Sequence, residues 1–99
     1  MRLRPVKRQG ILRGDNVTEN KNVLTLGEFI RVRRDRIRLT QSELAHEAGL
    51  SRGAVSSLER DKGLRGTSLM TLVKLAQPLE VSLSDLVLAW ESTMMRYYV

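Results

Sequence analysis

The chain has 99 residues, no cysteine, and seventeen Lys and Arg against eleven Asp and Glu, a net charge of +6. That length suits one domain with short tails, the missing thiols exclude a disulfide framework and a thiolate metal site, and the basic excess favours a polyanionic partner. No run of eighteen apolar residues predicts a membrane span, and Arg2, Arg4, Lys7 and Arg8 are not followed by the apolar stretch of a signal peptide.

Residues 1–24 carry Pro5, Gly10, Gly14 and many charges, with apolar residues at no fixed period. They read as a disordered basic arm, either touching DNA or serving as an extension without a role. From Leu24 onward helix starts recur. Thr25 precedes Glu28 by three, a capping box, and Leu24 can pack on Phe29 as a hydrophobic staple. The first helix is therefore predicted over 26–37, with Leu26, Phe29, Ile30 and Ile37 inward. Thr40 and Glu43, flanked by Leu39 and Leu44, start a second helix over 41–48 that turns Leu44, Ala45 and Ala48 inward. Ser51, with Leu50 and Val55 around it, starts a third over 52–60 that buries Val55 and Leu58. Ser68 is a weaker start for a fourth over 69–77, with Leu69, Leu72, Val73 and Ala76 inward and Pro78 as its stop. Ser82 and Asp85, with Val81 and Leu86, open a fifth at Leu83 that buries Leu86, Val87 and Trp90. Five helix starts without an alternating strand pattern predict an all-α bundle.

The segment QSELAHEAGLSRGAVSSLER at 41–60 carries the functional signal. Two short helices meet across Gly49-Leu50-Ser51, where Gly49 can take a positive φ. Ala45 is small where the two helices approach. The outer face of the second is left with Arg52, Gly53, Ser56, Ser57 and Arg60, short or basic groups suited to a major groove.

From Leu26 to Trp90 the chain resembles the phage-repressor/Cro superfamily of helix-turn-helix proteins, also called xenobiotic-response-element-like. The resemblance rests on GEFIRVRRDRIRLTQSELA, the turn, LERDKG and SLMTLVKLAQPLEVSLSDLV. It implies a five-helix lambda-repressor-like domain over 25–92, its helix-turn-helix at 41–60, with 93–99 as a tail that could join a dimer contact. By position, Gln41 matches a glutamine that contacts phosphate, and Arg52, Gly53, Ser56 and Ser57 match residues facing base edges. Arg60 matches a polar residue near the DNA backbone, and Arg34 and Glu59 match a structural ion pair, for which Arg33 is a rival to Arg34. Glu80 stands where the family usually has glycine.

The remaining candidates read as surface. Arg31, Arg33, Arg36 and Arg38 form a charge run on a solvated face, and His46-Glu47 lacks the second histidine of a zinc motif because Leu50 takes its place. No nucleophile–base pair, phosphate loop or metal set points to an enzyme, and no cofactor is expected. Leu88, Trp90 and Met95 give the last helix more apolar surface than one domain needs, which predicts a homodimer. The expectation is a cytoplasmic, cofactor-free, sequence-specific regulator of operator DNA, a repressor in type. An antitoxin that also binds a toxin, or a bridging coactivator, are the alternatives.

Overall fold

The computed structural model describes residues 24–98, with the side chain of Tyr98 left out. The predicted basic arm, but for Leu24, lies outside the described residues. Five α-helices follow in order: α1 Leu26–Arg36, α2 Gln41–Ala48, α3 Arg52–Glu59, α4 Leu69–Leu79 and α5 Leu83–Tyr98, with a short 3₁₀ turn at Leu64–Gly66 before α4. No strand occurs among the described residues, so the class is all-α. α2 packs on α3 and α4, α1 on α3 and α5, and α5 on α4 and the 3₁₀ turn.

Local chemistry accounts for the start of α1 donor by donor. A helix leaves its first amides without intrahelical acceptors, and buried amides need partners. Thr93 Oγ1 accepts from Leu26 N–H at 2.7 Å, and Asp61 Oδ1 accepts from Gly27 N–H at 2.8 Å. Thr25 Oγ1 accepts from Glu28 N–H at 3.1 Å, while Glu28 Oε1 accepts from Thr25 N–H at 2.9 Å. The same reciprocal box closes α2, with Thr40 and Glu43 exchanging bonds of 2.8 and 3.0 Å. Ser51, Ser68 and Ser82 cap α3, α4 and α5 through Ala54, Thr71 and Asp85 N–H.

The core joins every element. Leu26 and Ile30 of α1, Leu44 of α2, Val55 of α3, Leu64 of the turn, Leu75 and Leu79 of α4 and Leu86 of α5 are fully buried. Burying a leucine side chain completely contributes roughly 1.5–3 kcal/mol.

Three expectations are corrected here. Leu69 and Val73 were expected inside α4, but they are 60% and 43% exposed; Leu72 is buried as expected, and Leu75 and Leu79 join it at the core. The helix also runs past Pro78 to Leu79, because the proline falls in the last turn, where its missing N–H removes a single bond. The burial of Leu79 holds that turn in place, and the Arg33 guanidinium donates to Leu79 O at 3.1 and 3.3 Å and to Glu80 O at 3.4 Å. Last, the residues expected as a C-terminal tail from 93 onward continue α5, which runs to Tyr98, and Thr93 is completely buried.

Candidate nucleic-acid interface

The turn between α2 and α3 fixes the geometry of the site. Gly49 sits at φ 72° and ψ 34°, a left-handed conformation that costs glycine no Cβ clash. Leu50 N–H then reaches Ala45 O at 2.8 Å and Gly49 N–H reaches His46 O at 3.3 Å, which satisfies two of the carbonyls in the last turn of α2. Ala45 and Ala48, both nearly inaccessible, let α3 lie close across α2.

A polar node then ties α3 to α1. Arg34 Nε and Nη2 donate to Glu59 Oε2 and Oε1 at 2.6 and 3.0 Å, a two-pronged pairing of guanidinium with carboxylate. Arg34 Nη1 donates to Leu39 O at 2.8 Å, tying the α1–α2 turn to the same group. Gln41 Nε2 donates to Glu59 Oε1 at 3.1 Å. The two charged side chains retain 13% and 5% of their accessibility, so water competes little for these bonds. Hydrogen bonding to Glu59 pushes the Arg34 guanidinium above its ordinary value against an opposing effect of burial. The choice between Arg33 and Arg34 follows from these distances: Arg34 holds Glu59, and Arg33 holds the end of α4.

With Val55 and Leu58 buried, α3 leaves Arg52 and Gly53 exposed and Ser56 half-buried, and Arg60, which follows its last residue, is exposed. These four fall within about one third of the helix circumference at 3.6 residues per turn. Ser57 stands at the margin, in a groove shared with Leu50, Ala54 and Thr67. Gln41, Ser56, Glu59 and Arg60 border one open recess together with Arg31 and Arg34. Sequence reasoning left Arg31 in the solvated run. The signal for its place was the three-residue spacing to Arg34, which puts both on one face of the helix.

The residues expected at a dimer contact do not share one face. Leu88 and Met95 are 60% and 58% exposed and lie seven residues apart, on one stripe of α5. Trp90 is half-buried and its indole N–H points to Leu64 O at 3.4 Å, so it packs on its own domain. Leu24, Phe29, Asp85, Leu88, Ala89 and Ser92 line a groove beside the exposed stripe. Leu69, Met70 and Val73 form a second exposed apolar patch on α4. Among the described residues no cluster of His, Asp or Glu could hold a metal ion, and no helix is long and apolar enough to cross a membrane.

Two short helices locked at a left-handed glycine, with the second turned outward on a rigid bundle, define a helix-turn-helix protein. The helix-turn-helix family model matches residues 30–86, and the chain belongs to that family. It is 43% identical over 65 residues to the uncharacterized helix-turn-helix-type transcriptional regulator y4dJ of Sinorhizobium fredii (strain NBRC 101917 / NGR234), covering 66% of this chain and 80% of that protein. Its fold is similar to the crystal structure of SinR, the master regulator for biofilm formation, in complex with DNA. That match has a TM-score of 0.56 and 33% identity, and it spans 64% of this chain and 98% of the other.

Proposed function

We propose that this helix-turn-helix protein, a DNA-binding transcriptional regulator, works as a homodimeric repressor that lays α3 into the major groove of operator DNA. The observation that carries the reading is the outer face of α3, where Arg52 and Gly53, with Arg60 just past its end, are exposed beside the half-buried Ser56 on a helix braced by the Arg34–Glu59 pair. Arg52, the first residue after the Ser51 cap, is assigned to a guanine, since arginine can give two parallel bonds to O6 and N7. Gln41 and Arg60 are assigned to the DNA backbone, and Ser56 and Ser57 to base edges beside Arg52.

Selection from a random duplex pool should enrich one motif, with affinity falling steeply as salt rises. On that motif Arg52→Ala is expected to lose about 1–3 kcal/mol and to relax preference at a single base position. Equal weakening on every single-base variant would move Arg52 to the backbone. A pool that enriches nothing at moderate salt would sink the sequence-reading claim itself.

Gly53 gives a test whose two readouts move in opposite directions. A Cβ built there meets only Ser51 Oγ, at 3.9 Å, so nothing inside the protein requires glycine. Glycine in a helix is nevertheless destabilising by roughly 0.5–1 kcal/mol relative to alanine. Gly53→Ala should therefore raise the melting temperature slightly while weakening operator binding, because the methyl group stands where the DNA comes close. Unchanged operator affinity would remove Gly53 from the interface.

Two-fold operators need paired heads, and the Leu88–Met95 stripe is the surface assigned to pairing. Sedimentation at micromolar concentration should give dimers, and Leu88→Glu should give folded monomers. A monomeric parent protein that binds DNA one head at a time would refute this. The antitoxin reading draws support from the Leu69–Met70–Val73 patch, a separate apolar surface that a protein partner could cover. A toxin reading frame beside the gene, whose product forms a complex lost in Met70→Glu, would favour it. The setting proposed for either role is the bacterial cytoplasm.

A further inference from the structure

The groove between the start of α1 and the face of α5 is apolar with one acidic edge. Leu24, Phe29, Leu88 and Ala89 supply hydrocarbon, Asp85 borders them, and the groove holds about 360 Å³. Leu88 is 60% exposed and Leu24 38%, so apolar surface meets solvent at its mouth. Among the described residues the Asp85 carboxylate has no ion pair.

The chain itself supplies an occupant. Leu24 lines the groove and is also the first described residue, so residues 1–23 join the domain at the groove's own rim. They carry six Lys and Arg against two Asp and Glu, a charge opposite to that of Asp85. Among them Ile11 and Leu12 are the one pair of adjacent large aliphatics, and Arg13 follows directly. Residues 13–23 span up to about 36 Å when extended, ample for a return to a groove that begins at their own anchor.

We propose that residues 11–13 dock into the α1–α5 groove of their own domain, Ile11 and Leu12 against Leu24, Phe29 and Leu88, and Arg13 beside Asp85. A groove so filled is closed to a second copy at Leu88, and the segment therefore opposes pairing through the Leu88–Met95 stripe. The competition rests on the homodimer reading above, whereas the docking does not.

The chain has no cysteine, so Ser84→Cys takes a single spin label, on exposed α5 surface one turn before Leu88. In the dilute full-length protein the label should broaden the amide NMR signals of residues 11–13. The same label at His46→Cys, on exposed α2, which packs on α3 and α4, should leave them sharp. So should a mixture of spin-labelled protein with isotope-labelled protein that carries no spin label, because the contact lies within one chain. Replacing the pair, Ile11→Asp with Leu12→Asp, should tighten pairing about tenfold in sedimentation, less than full burial of one aliphatic side chain would give. Sharp signals in the Ser84→Cys protein overturn the docking, and a shift of those signals on adding duplex would then give the segment to DNA. Broadening in the mixed sample also overturns it and seats the segment on a second copy. Docking with unchanged pairing overturns the competition. A parent and a variant that both stay monomeric strike the homodimer reading instead, and the spin label still decides the docking.

Discussion

Glu59→Ala is expected to lower the folding free energy by roughly 3–5 kcal/mol, the usual consequence of leaving one member of a buried ion pair alone. The carboxylate keeps 5% of its accessibility and receives two bonds from Arg34 and one from Gln41. Its removal leaves the Arg34 guanidinium with Leu39 O and a 3.4 Å approach to Asp35, whose side chain is 63% exposed. That second carboxylate is a weak substitute, since exposed pairs are worth about 0–1 kcal/mol. Asp35→Ala should accordingly be close to neutral. Chemical denaturation of both variants, with the double replacement of Arg34 and Glu59 by methionine, completes the test. The double variant should recover much of the loss, because it removes the orphaned charge together with its partner. A Glu59→Ala protein as stable as its parent would mean that the pair is solvated in solution.

Gly27→Ala is the second large effect, and its sign runs against helix propensity. Alanine in place of glycine ordinarily stabilises a helix by up to about 1 kcal/mol. Here the added Cβ would meet Leu58 O at 2.5 Å, Glu59 O at 2.6 Å and Asp61 Oδ1 at 2.8 Å. Two of the three are backbone oxygens at the end of α3, which cannot rotate away as a side chain could. α1 would have to lift off α3, losing the Gly27 N–H bond to Asp61 and straining the Arg34–Glu59 geometry. Overpacking typically costs roughly 1–3 kcal/mol, and contact with backbone on two sides puts this site at the top of that range. Gly66→Ala is the control: a Cβ there meets nothing within 4 Å. Thermal melts should separate the two by many degrees, and equal melting temperatures would refute the close approach of α1 to α3.

What could be read in the sequence was what is decided locally. The boxes at Thr25–Glu28 and Thr40–Glu43 span three residues, and their hydrogen bonds are present as the spacing implies. The turn glycine at 49 belongs to the same class, since its conformation follows from two adjoining helix ends. α4 was less legible. LMTLVKLAQPL is apolar almost all round, so 69–72–73–76 and 72–75–79 both satisfy a helical period. Contact with the rest of the core, which the segment does not encode alone, selects the second stripe. Arg33 and Arg34 pose the same difficulty in the site. They are adjacent and chemically identical, and only the arrival of Glu59 on one side and the α4 terminus on the other separates them. Leu64 and Thr93 were invisible for a related reason. A lone leucine between glycines and a threonine near the chain end carry no periodic signal, yet both are fully buried.

Thr93 also bears on what counts as the independently folding unit. Its hydroxyl accepts from Leu26 N–H at 2.7 Å and donates to Ala89 O at 2.7 Å, closing the first helix against the last. The family match runs from 30 to 86 and so omits both ends of this clasp. A fragment cut to those limits would keep every side chain assigned to DNA. It would lose the Thr25 box that starts α1, the Gly27 bond to Asp61 that ties α1 to the end of α3, and the buried Thr93 that ties α1 to α5. The boundary of cooperative unfolding therefore lies outside the boundary of family likeness. Residues contributing nothing to recognition decide whether the recognising helix is presented as a rigid body or on a fraying support.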